Sequence, residues 1–245
     1  VQKLYRKLKE NGRIKEHPRF GSALSDTTIN RLHAIFHQAM EDAFHAHIIA
    51  KNPTVGATVP KASHAPKRVL TDKELDTFLD AVREDKIWGD FFYVELTTGL
   101  RRGEILALQW DDLDLCTGVL RIERQVQRVR RELVISAPKT KSSCRSIILP
   151  APILGVLRDY RQSIRSRWMF PSPKKEDSPL DPAAVRKKLA KVLNRADCKH
   201  IRFHDLRHTF ATNALEHGMD IKTLSTIIGH VTSATTLNVY AHVTD

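Results

Sequence analysis

The chain has 245 residues, 41% hydrophobic and 28% charged, which supports a globular core in one large or two small domains and argues against wholesale disorder. Lys and Arg number 40 against 28 Asp and Glu, and the net charge of +12 points to a polyanionic partner, nucleic acid before an acidic membrane surface. No run of about 18 apolar residues is present, which argues against a transmembrane helix, and the basic, polar start from Val1 to Glu16 is unlike a signal peptide.

A short helix around Lys3 to Lys9 is the only regular element expected before Ser22, and a start at Val reads as that of a fragment. From a cap at Ser25 or Asp26, the apolar positions Ile29, Leu32, Ile35, Phe36, Met40 and Ala43 predict a helix to about Ile49, stopped by Asn52-Pro53. Thr54 to Arg68, with Pro60 and Pro66, reads as a linker. Thr71 and Glu74 predict a capping box opening a helix with Leu75, Phe78, Leu79 and Val82 inward. Helices are expected over Phe91 to Leu100 and Arg102 to Leu108, then three short strands at Gly118 to Arg130, Glu132 to Ala137 and Arg145 to Leu149. Further helices follow at Ala151 to Ser163, Asp181 to Arg195, Phe203 to His217, Ile221 to Ile228 and Thr235 to Ala241. The expected fold is mainly α with a small antiparallel β-sheet: a helical N-terminal domain over residues 1–62 and an α+β domain over 63–245.

The second domain concentrates the chemistry. Thr98-Gly99-Leu100-Arg101-Arg102-Gly103-Glu104 sets arginines beside a helix start, where an anion is favoured and phosphate suits the guanidinium fork. His204 and Arg207 are three apart and share a helical face, so one imidazole and one guanidinium can divide a phosphate's oxygens. Gly229-His230 ends a helix, and Tyr240 follows ten residues after His230. Lys139 and Lys141 sit in a turn between two strands, from which a side chain can swing onto a ligand. None of these features is specific alone, since surface arginines, HxxR pairs and C-terminal tyrosines are common.

Other residues are less informative. Three cysteines without CxxC spacing, Cys116, Cys144 and Cys198, argue for a reducing cytoplasm and against a disulfide framework or a zinc–cysteine site. His33, His37 and Glu41 recur every four residues and share a helical face, but no fourth ligand is evident, so solvated or DNA-facing side chains are preferred to a metal site.

Taken in order, Thr98 to Glu104, Pro138-Lys139-Thr140-Lys141 through Arg145, His204-Asp205-Leu206-Arg207-His208-Thr209-Phe210, Gly229-His230 and Tyr240-Ala241-His242 resemble the boxes of the tyrosine recombinase (phage integrase) family. Leu24 to Pro60 is similar to the end of that family's helical core-binding domain, so the resemblance covers nearly the whole chain. It implies a catalytic set of Arg101, Lys139, His204, Arg207, His230 and Tyr240, with Tyr240 attacking a DNA phosphodiester to leave a 3′-phosphotyrosyl link and a free 5′-hydroxyl. It implies no cofactor, neither metal nor ATP, because the bond energy is retained in the adduct. Arg101, Arg207 and His230 would hold the non-bridging oxygens, His204 would act as base, and Lys139, in the Pro-Lys-Thr context typical of the family, is preferred to Lys141 as the acid for the leaving oxygen. Glu104 reads either as the carboxylate that orients a guanidinium or as an ordinary surface residue.

Arg31, Lys61, Lys67, Arg68, Arg121, Lys141 and Arg145 are the candidate DNA contacts, with Arg124, Arg128, Arg130 and Arg131 able to join them on backbone phosphates. The resemblance further implies double-stranded DNA held in a C-shaped clamp with N-terminal helices in the major groove, a homotetramer on synapsed DNA, a monomer when free, and no membrane partner. It also implies a cytoplasmic, nucleoid-associated place in a prokaryotic or phage host. A preceding arm-binding domain and a longer tail beyond Tyr240 are expected to be missing. A type IB topoisomerase, a DNA-binding regulator with vestigial chemistry and a metal-dependent nuclease are the competing readings; the last lacks an evident carboxylate cluster.

Overall fold

The computed structural model describes residues 1–18, 20–61, 68–130, 132–138, 144–229 and 233–240. The chain divides into two compact units, Val1–Pro66 and Lys67–Asp245. Its architecture is mainly helical with short antiparallel strands, as the sequence predicts. None of its described helices is long and apolar enough to cross a membrane.

The first unit packs α1 (Gln2–Asn11) against α2 (Asp26–His45), whose N-terminus is capped by Ser25 accepting from the Thr28 amide. Of the apolar positions expected to face a core, Ile29 is fully buried, whereas Leu32 and Ile35 are 40% and 70% exposed. The spacing makes the helix, but the short α1 and the 52–61 segment cover only one part of its apolar stripe. His33 and His37 are half-buried and hydrogen-bonded within the unit. Their Nδ1 atoms lie 2.7 Å from the Tyr5 hydroxyl and 2.6 Å from Thr54 Oγ1, within the unit. Glu41 instead accepts from Asn52 at 2.6 Å. Each of these polar groups is satisfied by a partner from another stretch of the same unit, which fixes the 52–54 turn against α2.

The second unit opens with α3 (Asp72–Val82), and both halves of the Thr71–Glu74 capping box form. It continues with α4 (Lys86–Thr98), α5 (Arg102–Leu106) and a single 3₁₀ turn at Trp110–Asp112. The strands depart from expectation. Gly118 to Arg130 is two strands, β1 (Val119–Ile122) and β2 (Gln125–Val129), interrupted at Glu123-Arg124. β2 pairs with β3 (Glu132–Ser136), and β1 with β4 (Arg145–Ile148), so among the described residues the expected antiparallel strands form two two-stranded ladders. Buried Leu120, Ile122 and Val126 face the core from both β1 and β2, and the change of partner between them is a matter of non-local pairing that the run of Val, Leu and Ile does not encode.

Among the described residues the unit continues with α6 (Ala151–Ser163), α7 (Pro182–Arg195), α8 (Phe203–Glu216), α9 (Ile221–Ile228) and α10 (Ser233–Tyr240). The core gathers Phe78, Phe91, Phe92, Leu106, Leu157 and Phe170, with edge-to-face pairs Phe78–Phe92 at 5.3 Å and Phe91–Phe170 at 5.2 Å. Burying each such ring contributes about 1.5–3 kcal/mol, which holds α4 rigidly behind the residues that follow it. A smaller cluster of Ala211, Leu224, Ile228 and Tyr240 joins α8, α9 and α10.

Candidate active site

α4 ends at Gly99, which adopts the left-handed conformation (φ 57°, ψ 31°) and turns the chain into Leu100 and Arg101. Leu100 is fully buried, so Arg101 is held at the mouth of α5. The Glu104 carboxylate accepts from the Arg101 backbone amide at 3.0 Å and from Arg101 Nη1 at 2.8 Å. It also accepts from Arg145 Nη2 at 2.9 Å. Glu104 is only 3% exposed, so it is a buried carboxylate that orients two guanidiniums rather than a surface residue. Burial acts to raise its pKa, but the hydrogen bonds and charges of Arg145 and Arg101 outweigh that and hold it below the usual carboxylate range.

Three guanidiniums converge on one helix end. Arg145 Nε donates to the Ile227 carbonyl at 2.8 Å, Arg207 Nη2 to Ile228 at 2.6 Å, and Arg101 Nη2 to Gly229 at 2.7 Å. These carbonyls close the C-terminus of α9, where intrahelical donors are lacking and the helix dipole is negative. Arg207 is further anchored through Nη1 to the Gly99 carbonyl at 2.8 Å. Burial and the neighbouring Arg101 lower the Arg207 pKa to about 10, which still leaves it charged at neutral pH. The bound carbonyls set where Gly229 emerges, beside Arg101, and Arg101 keeps an open side, 40% of its side chain being exposed.

α8 carries His204 and Arg207 one turn apart. Partial burial and the Arg207 charge lower the His204 pKa, favouring a neutral imidazole. Its ring stands edge-on to that of His208, centroids 4.8 Å apart. The imidazole on the Tyr240 hydroxyl is that of His208, whose Nδ1 lies 2.6 Å from the phenolic oxygen. Tyr240 is only 2% exposed, and burial, partly offset by Arg207, pushes its pKa up to about 12.

Sequence reasoning thus put Arg101, Arg207, Glu104, His204 and Tyr240 on elements that meet around α5, α8 and the end of α9, but gave no role to His208. Its place four residues after His204, hence on the same helical face, was the available signal. Arg145, expected to contact DNA, is placed differently: its side chain is 6% exposed and is directed to Glu104 and the Ile227 carbonyl. Arg31, Lys61, Arg68 and Arg121 lie exposed, Arg68 donating to the His200 carbonyl at 3.3 Å and Arg121 to that of Asp111 at 2.8 Å. Arg124 and Arg128 are paired with Asp112 and Asp181. Lys67, Lys139, Lys141, Arg131 and His230 lie outside the described residues.

A helical unit is followed by an α+β unit in which arginines from separate elements gather on one helix end and a tyrosine is buried nearby. The model of the Phage integrase family matches residues 68–245, and the chain belongs to that family. It is 26% identical over 271 residues to the tyrosine recombinase XerC-like protein of Caldanaerobacter subterraneus subsp. tengcongensis, covering 99% of this chain and 66% of that protein. It is 25% identical over 231 residues to the ICEBs1 integrase of Bacillus subtilis, covering 90% and 63%, and 32% identical over 197 residues to the transposase of transposon Tn916 from Enterococcus faecalis, covering 73% and 49%. The chain therefore spans about half to two thirds of the length of these relatives. Its structure is similar to that of the Tn1549 transposon integrase in complex with transposon right end DNA, with a TM-score of 0.82 at 25% identity over 98% of this chain and 79% of that one. The lambda integrase dimer bound to a COC' core site shares the fold alone, with a TM-score of 0.62 at 14% identity over 91% and 66%.

Proposed function

We propose that the chain is the core-binding and catalytic part, residues 1–62 and 63–245, of a site-specific DNA recombinase that breaks and rejoins strands through Tyr240 for integration or excision of a mobile element. The observation that carries this reading is the set of three arginines gathered on the carbonyl end of α9, the same helix against which Tyr240 packs. A phosphodiester entering beside Arg101 and Arg207 gains negative charge on its non-bridging oxygens as the phosphorus becomes five-coordinate. Two preoriented guanidiniums and a donor from His230 stabilise that charge.

The Tyr240 oxygen attacks phosphorus, the bond to the 5′-oxygen breaks, and a 3′-phosphotyrosyl link remains. With a pKa of about 12 the phenol holds its proton at neutral pH, so an acceptor is required. His208, already at hydrogen-bond distance, takes that proton, while neutral His204 serves the same face of α8 as a further base or donor. Lys139, or Lys141 two residues further on, protonates the departing 5′-oxygen. A 5′-hydroxyl from a partner strand reverses the step, so neither ATP nor a divalent metal is consumed. Double-stranded DNA is the substrate, a tetramer forms on synapsed DNA from monomers, and the place of action is the cytoplasm of a prokaryotic host. The mobile-element relatives and the DNA-bound neighbours support the reading.

The test is covalent trapping on a nicked suicide duplex in EDTA, comparing the chain with Tyr240→Phe. An SDS-resistant adduct that disappears in the variant is expected. Tight DNA binding with no adduct from either protein would leave a DNA-binding role in place of the enzyme.

A further inference from the structure

Beside the arginine cluster lies a cavity of about 470 Å³, in the range of about 300–1,000 Å³ that holds small ligands. Its walls are apolar, supplied by Leu100, Leu189, Ala190, Ile201 and Phe203. Its rim is cationic: exposed Arg102 and Arg186, Arg202, which is paired with Asp205, and His204 of the proposed site. Glu95 of α4 forms part of the wall and is 0% exposed, and neither of its carboxyl oxygens has a hydrogen-bond partner among the described residues. A buried carboxyl left in this way is costly to the fold and calls for a function.

From these residues we propose that the cavity receives a single unstacked nucleobase, from a nucleotide next to the phosphate held by Arg101 and Arg207. The inference rests on the DNA-cleaving reading above and names a contact within it. A base is flat and apolar on its faces, which suits Leu189, Ala190 and Phe203, and its edge carries donors and acceptors. Glu95 is fully covered, so a side-chain shift on binding must open its protonated carboxyl, one donor with acceptor capacity, to such an edge. Burial favours that form by raising the Glu95 pKa well above the carboxylate range. A free phosphate finds no donor deep in this wall, whereas the rim of Arg102, Arg186 and Arg202 suits the phosphates flanking an extruded base. His204 belongs both to the rim and to the proposed active site, so the two are within one nucleotide's reach.

The experiment uses the whole chain on a nicked suicide duplex selected from a random pool, with 2-aminopurine placed singly at each nucleotide around the scissile phosphate. A several-fold rise in fluorescence at one position is expected on binding. It should vanish in Ala190→Trp, which fills the cavity from its wall, and persist in Glu95→Gln, which keeps a donor and an acceptor. In Glu95→Leu the rise should weaken while thermal stability holds or increases, because the unpartnered carboxyl is gone. Adduct formation on Tyr240 without a rise at any position overturns the base site and leaves the recombinase reading standing. A rise that survives Ala190→Trp in a folded protein places the extruded base elsewhere and also overturns it. The same holds for a change in assembly state on DNA in Ala190→Trp with unaltered fluorescence, which marks the cavity as a seat for a second copy. Absence of any adduct overturns both readings.

Discussion

His208 Nδ1 and the Tyr240 hydroxyl lie 2.6 Å apart, linking α8 to α10 across 32 residues of sequence. The bond ties the buried phenol to the helix that also carries Arg207, so the proposed nucleophile and one of its phosphate clamps share a support. Because burial pushes the Tyr240 pKa up to about 12, an imidazole at this distance decides how readily the oxygen loses its proton. His208→Ala is therefore expected to slow single-turnover adduct formation by about 10²–10⁴-fold while DNA affinity in a gel shift is retained. An unchanged rate would return the base role to His204.

Glu104 sits under both Arg101 and Arg145, and its removal leaves two guanidiniums without their carboxylate. Breaking a buried pair in this way costs about 3–5 kcal/mol, so Glu104→Ala should lower the urea midpoint sharply at pH 7. The folded-state pKa is depressed, so the stabilisation is present above the unfolded value of about 4.3 and is lost as pH falls through the folded value. The difference between wild type and variant should therefore narrow in urea titrations carried down to acid pH. A gap that stays constant would mean that packing, not the ion pair, supplies the effect.

Gly99 combines a positive φ of 57° with a carbonyl that anchors Arg207, and a Cβ added there would stand 2.3 Å from Phe210 Cδ1. Gly99→Ala should lose about 1–3 kcal/mol through strain and overpacking. Since the turn also positions Arg207, adduct formation should fall further than the loss of folded protein explains. Thermal melts run beside cleavage assays separate the two effects.

Half-buried Asp90 has its pKa raised to about 6 by burial, against about 3.9 in an unfolded chain. The folded state then binds the extra proton between those values, so this group's contribution to stability declines as pH rises from about 4 to about 6. Asp90→Asn should raise the melting temperature at pH 7 and leave it unchanged near pH 3. A melting temperature equal to wild type at pH 7 would show that water reaches the carboxylate freely.

Much of the helical frame was legible because helices declare themselves locally. Thr71 and Glu74 cap α3 through a contact three residues long, and α6 and α9 have the bounds that their apolar spacing predicts. The strands were less legible. Leu120 and Val126 read as one run, yet they pair with different strands, and the partner of a strand is set by residues far away in sequence. Leu32 and Ile35 show the same limit from the other side: periodicity places them on one face of α2 but does not say whether another element covers it.

By itself the sequence determined the chemistry available: a basic chain, an ordered set of Arg, His and Tyr boxes, and a glycine break followed by a helix start that carries arginines. Only the tertiary structure decided how those groups are held. Arg101, Arg145 and Arg207 come from three separate elements, and the carbonyls of Ile227, Ile228 and Gly229 bring them together because a helix C-terminus leaves acceptors unpaired. It also gave the Tyr240 hydroxyl to His208, turned Arg145 inward onto Glu104, and left the Glu95 carboxyl buried beside a cavity. Such pairings depend on distance and desolvation in the folded chain, and neither is written in the spacing of residues along it.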